Sequence, residues 1–364
     1  MTKREEEILK LIKENPMISQ KQIADILGIT RSSVAVHIAN LIKKGYILGR
    51  GYITHNEPYV TVIGGANMDI LGFPYNSLTY KDSNPGVINI SSGGVGRNIA
   101  ENLARLGVPV KLITALGKDM YGNRIIEESK KIGLDILDSL ILEGGSTSSY
   151  MAILDENGDM ALSISHMDIL NNMTVEFIKS KSSIIEHSML LVMDTNIPYD
   201  VIEYIATAYR DKAIFLDPVS TAKARKVKDI IGYFHTIKPN RMEAEVLSGI
   251  SIENRDDLIS AGEYFLNKGV KRVFITLGSD GVFYCDGSKT GFLKGPEVKV
   301  VNDTGAGDAF MAALAYGYIE DADVEESARM GIAGSILALV HEDTINPNMS
   351  LENIRLYMKE VVGC

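Results

Sequence analysis

Apolar residues change their spacing partway along this chain. Ile8, Leu9, Leu11 and Ile12 lie on one face of a helix over 5–14 that Asn15-Pro16 ends. Ser19 caps a second helix over 20–27, which stops at Gly28. A third spans 31–44, with Val34, Ile38, Leu41 and Ile42 facing inward. Two helices joined by a tight Gly turn make a helix-turn-helix pattern. After Gly45, residues 46–53 predict a small β-hairpin, and 54–58 a linker. From Tyr59 onward short β-rich runs alternate with helical patterns. Strands are expected over 59–64, 110–114, 189–192, 213–216, 236–238 and 273–276, with helices over 121–132 and after Pro198. That alternation predicts a doubly wound α/β sheet flanked by helices. One region breaks it. Residues 87–91 read as a strand paired with a hairpin over 148–165, whose arms flank Asp155-Glu156-Asn157-Gly158.

Charge divides the chain the same way. Residues 1–55 carry nine Lys or Arg against five Asp or Glu, while the remainder carries 28 against 42. An acidic body does not attract nucleic acid in bulk; a small basic module at one end can. No apolar run reaches the length of a membrane span, and residues 1–7 lack the apolar core of a signal peptide, so a cytoplasmic protein is expected. Cys285 and Cys364 alone offer neither a disulfide framework nor a Cys-rich metal site.

Candidate chemistry concentrates in Val301-Asn302-Asp303-Thr304-Gly305-Ala306-Gly307-Asp308-Ala309-Phe310, a glycine-rich turn that opens a helix. Gly305, Ala306 and Gly307 let backbone amides converge at a positive helix end, which suits an anion. Asp308 beside that nest is placed to accept a proton from an attacking hydroxyl, although a helix-dipole partner is the simpler role for a lone Asp. Asn67 and Asp69 follow the first strand of the sheet, where ligands of open α/β sheets bind. Asp194, Asn196, Asp217 and Asn240 lie at other strand ends. Gly94-Val95-Gly96 is not a dinucleotide fingerprint, because Ile99 stands where the third glycine belongs, and no P-loop is present.

Asp303-Thr304-Gly305-Ala306-Gly307-Asp308 resembles the C-terminal signature of the PfkB, or ribokinase-like, family of sugar and nucleoside kinases. Ser92-Gly93-Gly94-Val95-Gly96-Arg97-Asn98-Ile99-Ala100 resembles its N-terminal signature. The resemblance implies a ribokinase-like domain over 59–364, with a β lid from about 71–92 and 147–168 that also makes a homodimer contact. It implies ATP and Mg²⁺, with Asp308 as general base. Asn67, Asp69, Gly93, Gly94, Asn98, Arg97 and Asp168 would meet the substrate; Arg97 is alternatively an ion-pair partner and Asp168 a helix cap. Asn240, Thr276, Gly278 and Gly281 would lie on the nucleotide, and Glu243 would hold Mg²⁺ through water. Asn302 and Thr304 fall at a monovalent-cation site, for K⁺, although relatives often carry Asp where Asn302 stands. Gly93-Gly94-Val95-Gly96-Arg97-Asn98, taken with the N-terminal module, is most similar to bacterial pseudouridine kinases; ribose, fructose-type sugars, inosine and adenosine stay open as substrates.

Residues 1–55 resemble a winged helix-turn-helix. In that motif the third helix enters the major groove of duplex DNA, so Arg31, Ser32, Ser33, His37 and Asn40 would face bases while Lys43, Lys44 and Arg50 meet phosphate. A dimerisation module with the same residues solvated is the alternative. A transcriptional regulator whose kinase-like body only senses a nucleoside is the second functional class.

Overall fold

The computed structural model describes residues 1–47 and 58–363. It divides into two compact units, one of residues 1–58 with 183–188 and one of 59–182 with 189–364. The expected hairpin over 46–53, the linker over 54–58 and Arg50 fall almost wholly on 48–57, outside the described residues.

In the N-terminal unit, α1 (Lys3–Glu14) and α2 (Gln20–Leu27) each open with a capping box, Thr2 with Glu5 and Ser19 with Gln22. Gly28 closes α2 at φ 62, and Thr30 caps α3 (Arg31–Lys43). Ile8, Ile12, Ile23, Val34 and Leu41 are fully buried. Ile42, expected inside, is 47% exposed. One residue past Leu41, it is rotated about 100° off the buried line.

The second unit is built on a sheet with nine strands among the described residues, in the spatial order Val362–Gly363, Thr290–Lys294, Val282–Cys285, Arg272–Thr276, Thr236–Ile237, Ile214–Asp217, Leu191–Asp194, β1 (Val60–Ile63) and Val110–Ile113. Pairing is parallel from Arg272–Thr276 to Val110–Ile113 and antiparallel at the other edge. The central strands are buried along their whole length, as helices on both faces require. Over the sheet lies the apolar helix Ala306–Ile319, packed against Val324–Leu339. Small residues set that close approach: a Cβ on Gly331 would meet Phe310 at 2.6 Å and one on Gly334 the Ala309 carbonyl at 2.9 Å.

A separate four-stranded sheet is ordered β3 (Gly86–Gly93), β2 (Asn67–Pro74), Ser149–Leu154 and Met160–His166. The hairpin forms as expected, but β3 does not pair with it. β3 runs antiparallel to β2, which alone joins the hairpin. The strand missing from the sequence reading is β2, whose apolar run is broken by Asp69, Gly72 and Pro74. From β3 the chain turns at Gly94 into α4 (Val95–Arg105).

Candidate active site

The carboxyl ends of neighbouring strands deliver Gly64-Gly65 after β1, Asp194, Asp217 and Lys238 side by side along one sheet edge. Asp194 is fully buried, and its two oxygens accept from the Gly65 and Asn196 amides at 2.7 Å each. Burial still holds its carboxyl above the usual range. Asp217 faces the Lys238 ammonium at 3.2 Å, with both side chains almost fully buried. Burial alone would lower the Lys238 pKa; Asp217, Glu243 and Asp308 outweigh it and hold the group protonated.

Above this row opens the helix Ala306–Ile319. Gly305 caps it at φ 84, and a Cβ there would lie 2.3 Å from the Thr344 carbonyl oxygen, so the turn admits only glycine. A Cβ on Gly307 would sit 3.3 Å from Lys238 Nζ, so the buried ammonium and the helix start share one place. Asp308, in the first turn, is 8% exposed and accepts from Asn98 Nδ2 at 2.8 Å. Burial and then Asp217 push its carboxyl up to about 8, with Asn98 and Lys238 pulling the other way. A buried carboxyl tuned into this range beside a cation and a helix N-terminus can take a proton from an alcohol while an anion is held next to it. The side-chain oxygen of Asn98, Oδ1, is buried and has no protein partner.

Asn67 and Asp69, also expected to meet substrate, open β2. Asn67 Nδ2 donates to Asp69 Oδ1 at 2.6 Å, and burial raises the Asp69 carboxyl to about 6. The paired glycines make room for neighbouring protein atoms. A Cβ on Gly93 would stand 1.9 Å from Asp69 Oδ2, and one on Gly94, at φ 99, would stand 2.6 Å from the Gly65 carbonyl oxygen. They admit the Asp69 carboxylate and the turn after β1. The Arg97 guanidinium donates to the Ser92 carbonyl at 3.2 Å and pairs with Glu101 at 2.9 Å. That is the ion-pair alternative. Asp168 stands in solvent with its side chain 86% exposed, 3.9 Å from His166.

Asn240 and Glu243 form a capping box at the start of Arg241–Ser248, each bonding the other's backbone amide at 2.9 Å. Asn240, Thr276 and Gly278 line one cavity of ≈ 640 Å³ together with Arg241, Asp280 and Lys294. Gly281, at φ 95, lies against the Leu293 carbonyl, which a Cβ would meet at 2.0 Å. Asn302 bonds at both ends of its side chain, donating to the Glu342 carbonyl at 3.0 Å and accepting from the Thr304 amide at 2.9 Å. Two features carry no sequence signal strong enough to have found them. Lys238 is a strand-end lysine in the sequence and a buried cation in the structure. Val219, whose amide donates to Asp217 at 2.9 Å, sits at φ 65, where a β-branched residue is strained by ~1–3 kcal/mol.

In the N-terminal unit Arg31, Ser32, Ser33, Asn40 and Lys43 are exposed, and His37 is half-buried. Lys44, expected on phosphate, bonds both oxygens of Glu5 at 2.7 and 3.0 Å and holds that carboxyl well below the usual range.

Residues 57–350 match the pfkB family of carbohydrate kinases, and residues 1–47 a winged helix-turn-helix DNA-binding family. The chain is 40% identical to a pseudouridine kinase of Escherichia coli, over 82% of this chain and 96% of that protein. It is 36% identical to an uncharacterized sugar kinase of the same organism over 97% of this chain and 98% of that one. A crystal structure of a protein from Clostridium perfringens superposes with a TM-score of 0.77 at 45% identity, covering 85% of this chain and 98% of that one.

Proposed function

Since the chain belongs to the pfkB family of carbohydrate kinases and carries a winged helix-turn-helix module, it is a sugar or nucleoside kinase, and we propose that it phosphorylates the 5′-hydroxyl of pseudouridine with ATP. The observation that carries the choice of a nucleoside is the polar face of the lid. Register aligns Ser91, Asp69, Tyr150 and Ser165 in one row across its four strands, and Asn89, Leu71, Ala152 and Ser163 in the next. Directly opposed residues share a face. Asp69 can grip two adjacent ribose hydroxyls, and the hydroxyls and amide around it suit a base whose edge carries carbonyls and N–H groups. A free pentose presents nothing to the outer half of that row. The 40% identity to a pseudouridine kinase supports the same choice.

In the proposed mechanism Asp308 accepts the 5′-hydroxyl proton, and Asn98 orients its carboxylate. The backbone at Gly305, Ala306 and Gly307, with the Lys238 ammonium, stabilises negative charge on the transferred phosphoryl group. The cavity lined by Asn240, Thr276 and Gly278 is within the range of volumes that hold nucleotides. Among the described residues no three carboxylate, imidazole or thiol groups are gathered for a metal. That fits an ion such as Mg²⁺ held mainly by phosphate oxygens with one or two carboxylates, of which Glu243 and Asp217 are the candidates. Bound there, Mg²⁺ would neutralise charge on the phosphates. K⁺ has no part in this proposal, because the Asn302 amide is engaged at both ends.

Two partners complete it. The opposite lid face aligns Ile90, Ile70, Met151 and Ile164 beside Ile88, Gly72, Ile153 and Leu162, a surface for a second copy of the chain. The N-terminal unit is assigned to duplex DNA. A regulator that only senses nucleoside would not need an ionisable carboxyl buried beside Lys238. The test is ATP consumption with pseudouridine, uridine, inosine, adenosine, ribose and fructose. The highest kcat/KM on pseudouridine supports the assignment, whereas preference for a free sugar overturns the reading of the lid.

A further inference from the structure

On α3 the core contacts come from Val34, Ile38 and Leu41, each 4% exposed or less. Counting about 100° per residue, the direction opposite that line is occupied by Val36. Ser32 lies one turn before it, and Asn40 and Lys43 one and two turns after, all exposed on the same side. Val36 itself is 60% exposed. A β-branched residue is a weak helix former, and most of this one is outside the core, so neither helix formation nor packing explains valine here. A protein-docking face would extend the apolar surface around it; the neighbours are Ser, Asn, Lys and Ala39 instead.

The unit matches a DNA-binding winged helix-turn-helix family, a motif that places its recognition helix in the major groove. Only one base offers an apolar group there, the 5-methyl of thymine. Resting on the duplex-DNA reading of this unit, we infer that Val36 reads a thymine methyl, and that Asn40, one turn on, reads an adenine one or two base pairs away. The turn rises ~5.4 Å against ~3.4 Å per base pair, which fixes that spacing. Asn pairs with adenine through N6 and N7. Lys43, two turns after Val36 on the same face, meets a flanking phosphate. The ligand is therefore duplex DNA with a thymine at the centre of each contacted site.

The experiment uses the full chain at one fixed salt concentration. A bound sequence is selected from random duplexes, and each thymine in it is then replaced singly by deoxyuridine. One replacement is expected to weaken binding about fourfold, the ~0.8 kcal/mol of one buried methyl-sized group. Val36→Ala, at an exposed position that favours helix, should bind the thymine and deoxyuridine forms equally. Indifference to every replacement, or unchanged discrimination in Val36→Ala, overturns the base assignment alone. Failure to bind any duplex overturns the DNA reading of the unit with it.

Discussion

Asp308 can act as a base only when ionised, and its surroundings resist ionisation. With its carboxyl pushed up to about 8, kcat/KM for the acceptor should fall about tenfold per pH unit below that value. Lys238→Met removes a cation that favours the carboxylate, so the same fall should begin at higher pH. A pH profile that stays flat down to about pH 5 would contradict both statements. Stability moves the opposite way to activity. The folded-state pKa of Asp308 lies above its unfolded value, so its contribution is fully present below about pH 4 and is lost as pH rises through about 8. Asp308→Asn should therefore melt higher than wild type at pH 8, and the gap should close towards pH 4; a gap independent of pH would remove burial of the charge as its cause. Asp308 and Gly305 were legible in the sequence because a glycine turn before a helix is a local pattern. Lys238 was not, because its importance comes from Gly307 and Asp217, far away in the chain.

At the level of elements, the sequence located strands better than it paired them. Period and turn residues placed β3 and the hairpin, but the partner of an edge strand depends on β2, whose Asp69, Gly72 and Pro74 disguise it. The Asn240–Glu243 spacing, expected on the nucleotide and Mg²⁺, also suits a helix start. The cap is formed, and the same Asn240 lines the cavity proposed for the nucleotide. Gly93 offers a test of whether this element junction sets affinity. Gly93→Ala would put a methyl group 1.9 Å from where Asp69 Oδ2 now lies, without a φ penalty. Losing the Asp69 hydrogen bonds should raise KM for the nucleoside roughly 10- to 100-fold, the ~1.5–3 kcal/mol of a charged hydrogen bond, and leave KM for ATP unchanged. Equal changes in the two constants would place the defect elsewhere.

Across the whole molecule, the composition step between residues 1–55 and the acidic remainder anticipates the two units. What composition could not show is that the four-stranded sheet has two chemically distinct faces, since that follows from register across its strands. Ile88, Leu162 and Ile164 are 67%, 59% and 62% exposed on the apolar one. If a second copy covers it, Leu162→Glu should halve the mass measured by light scattering while secondary structure persists. A wild-type chain that is already monomeric would reject that partner. The proposal that the polar face and Asp308 together make a nucleoside kinase is tested most directly by turnover of wild type and Asp308→Asn on pseudouridine, with nucleoside affinity measured on the same samples. Turnover should fall by about two to four orders of magnitude while affinity is retained. Equal turnover in the two proteins, or tight binding by wild type without any phosphoryl transfer, would contradict it.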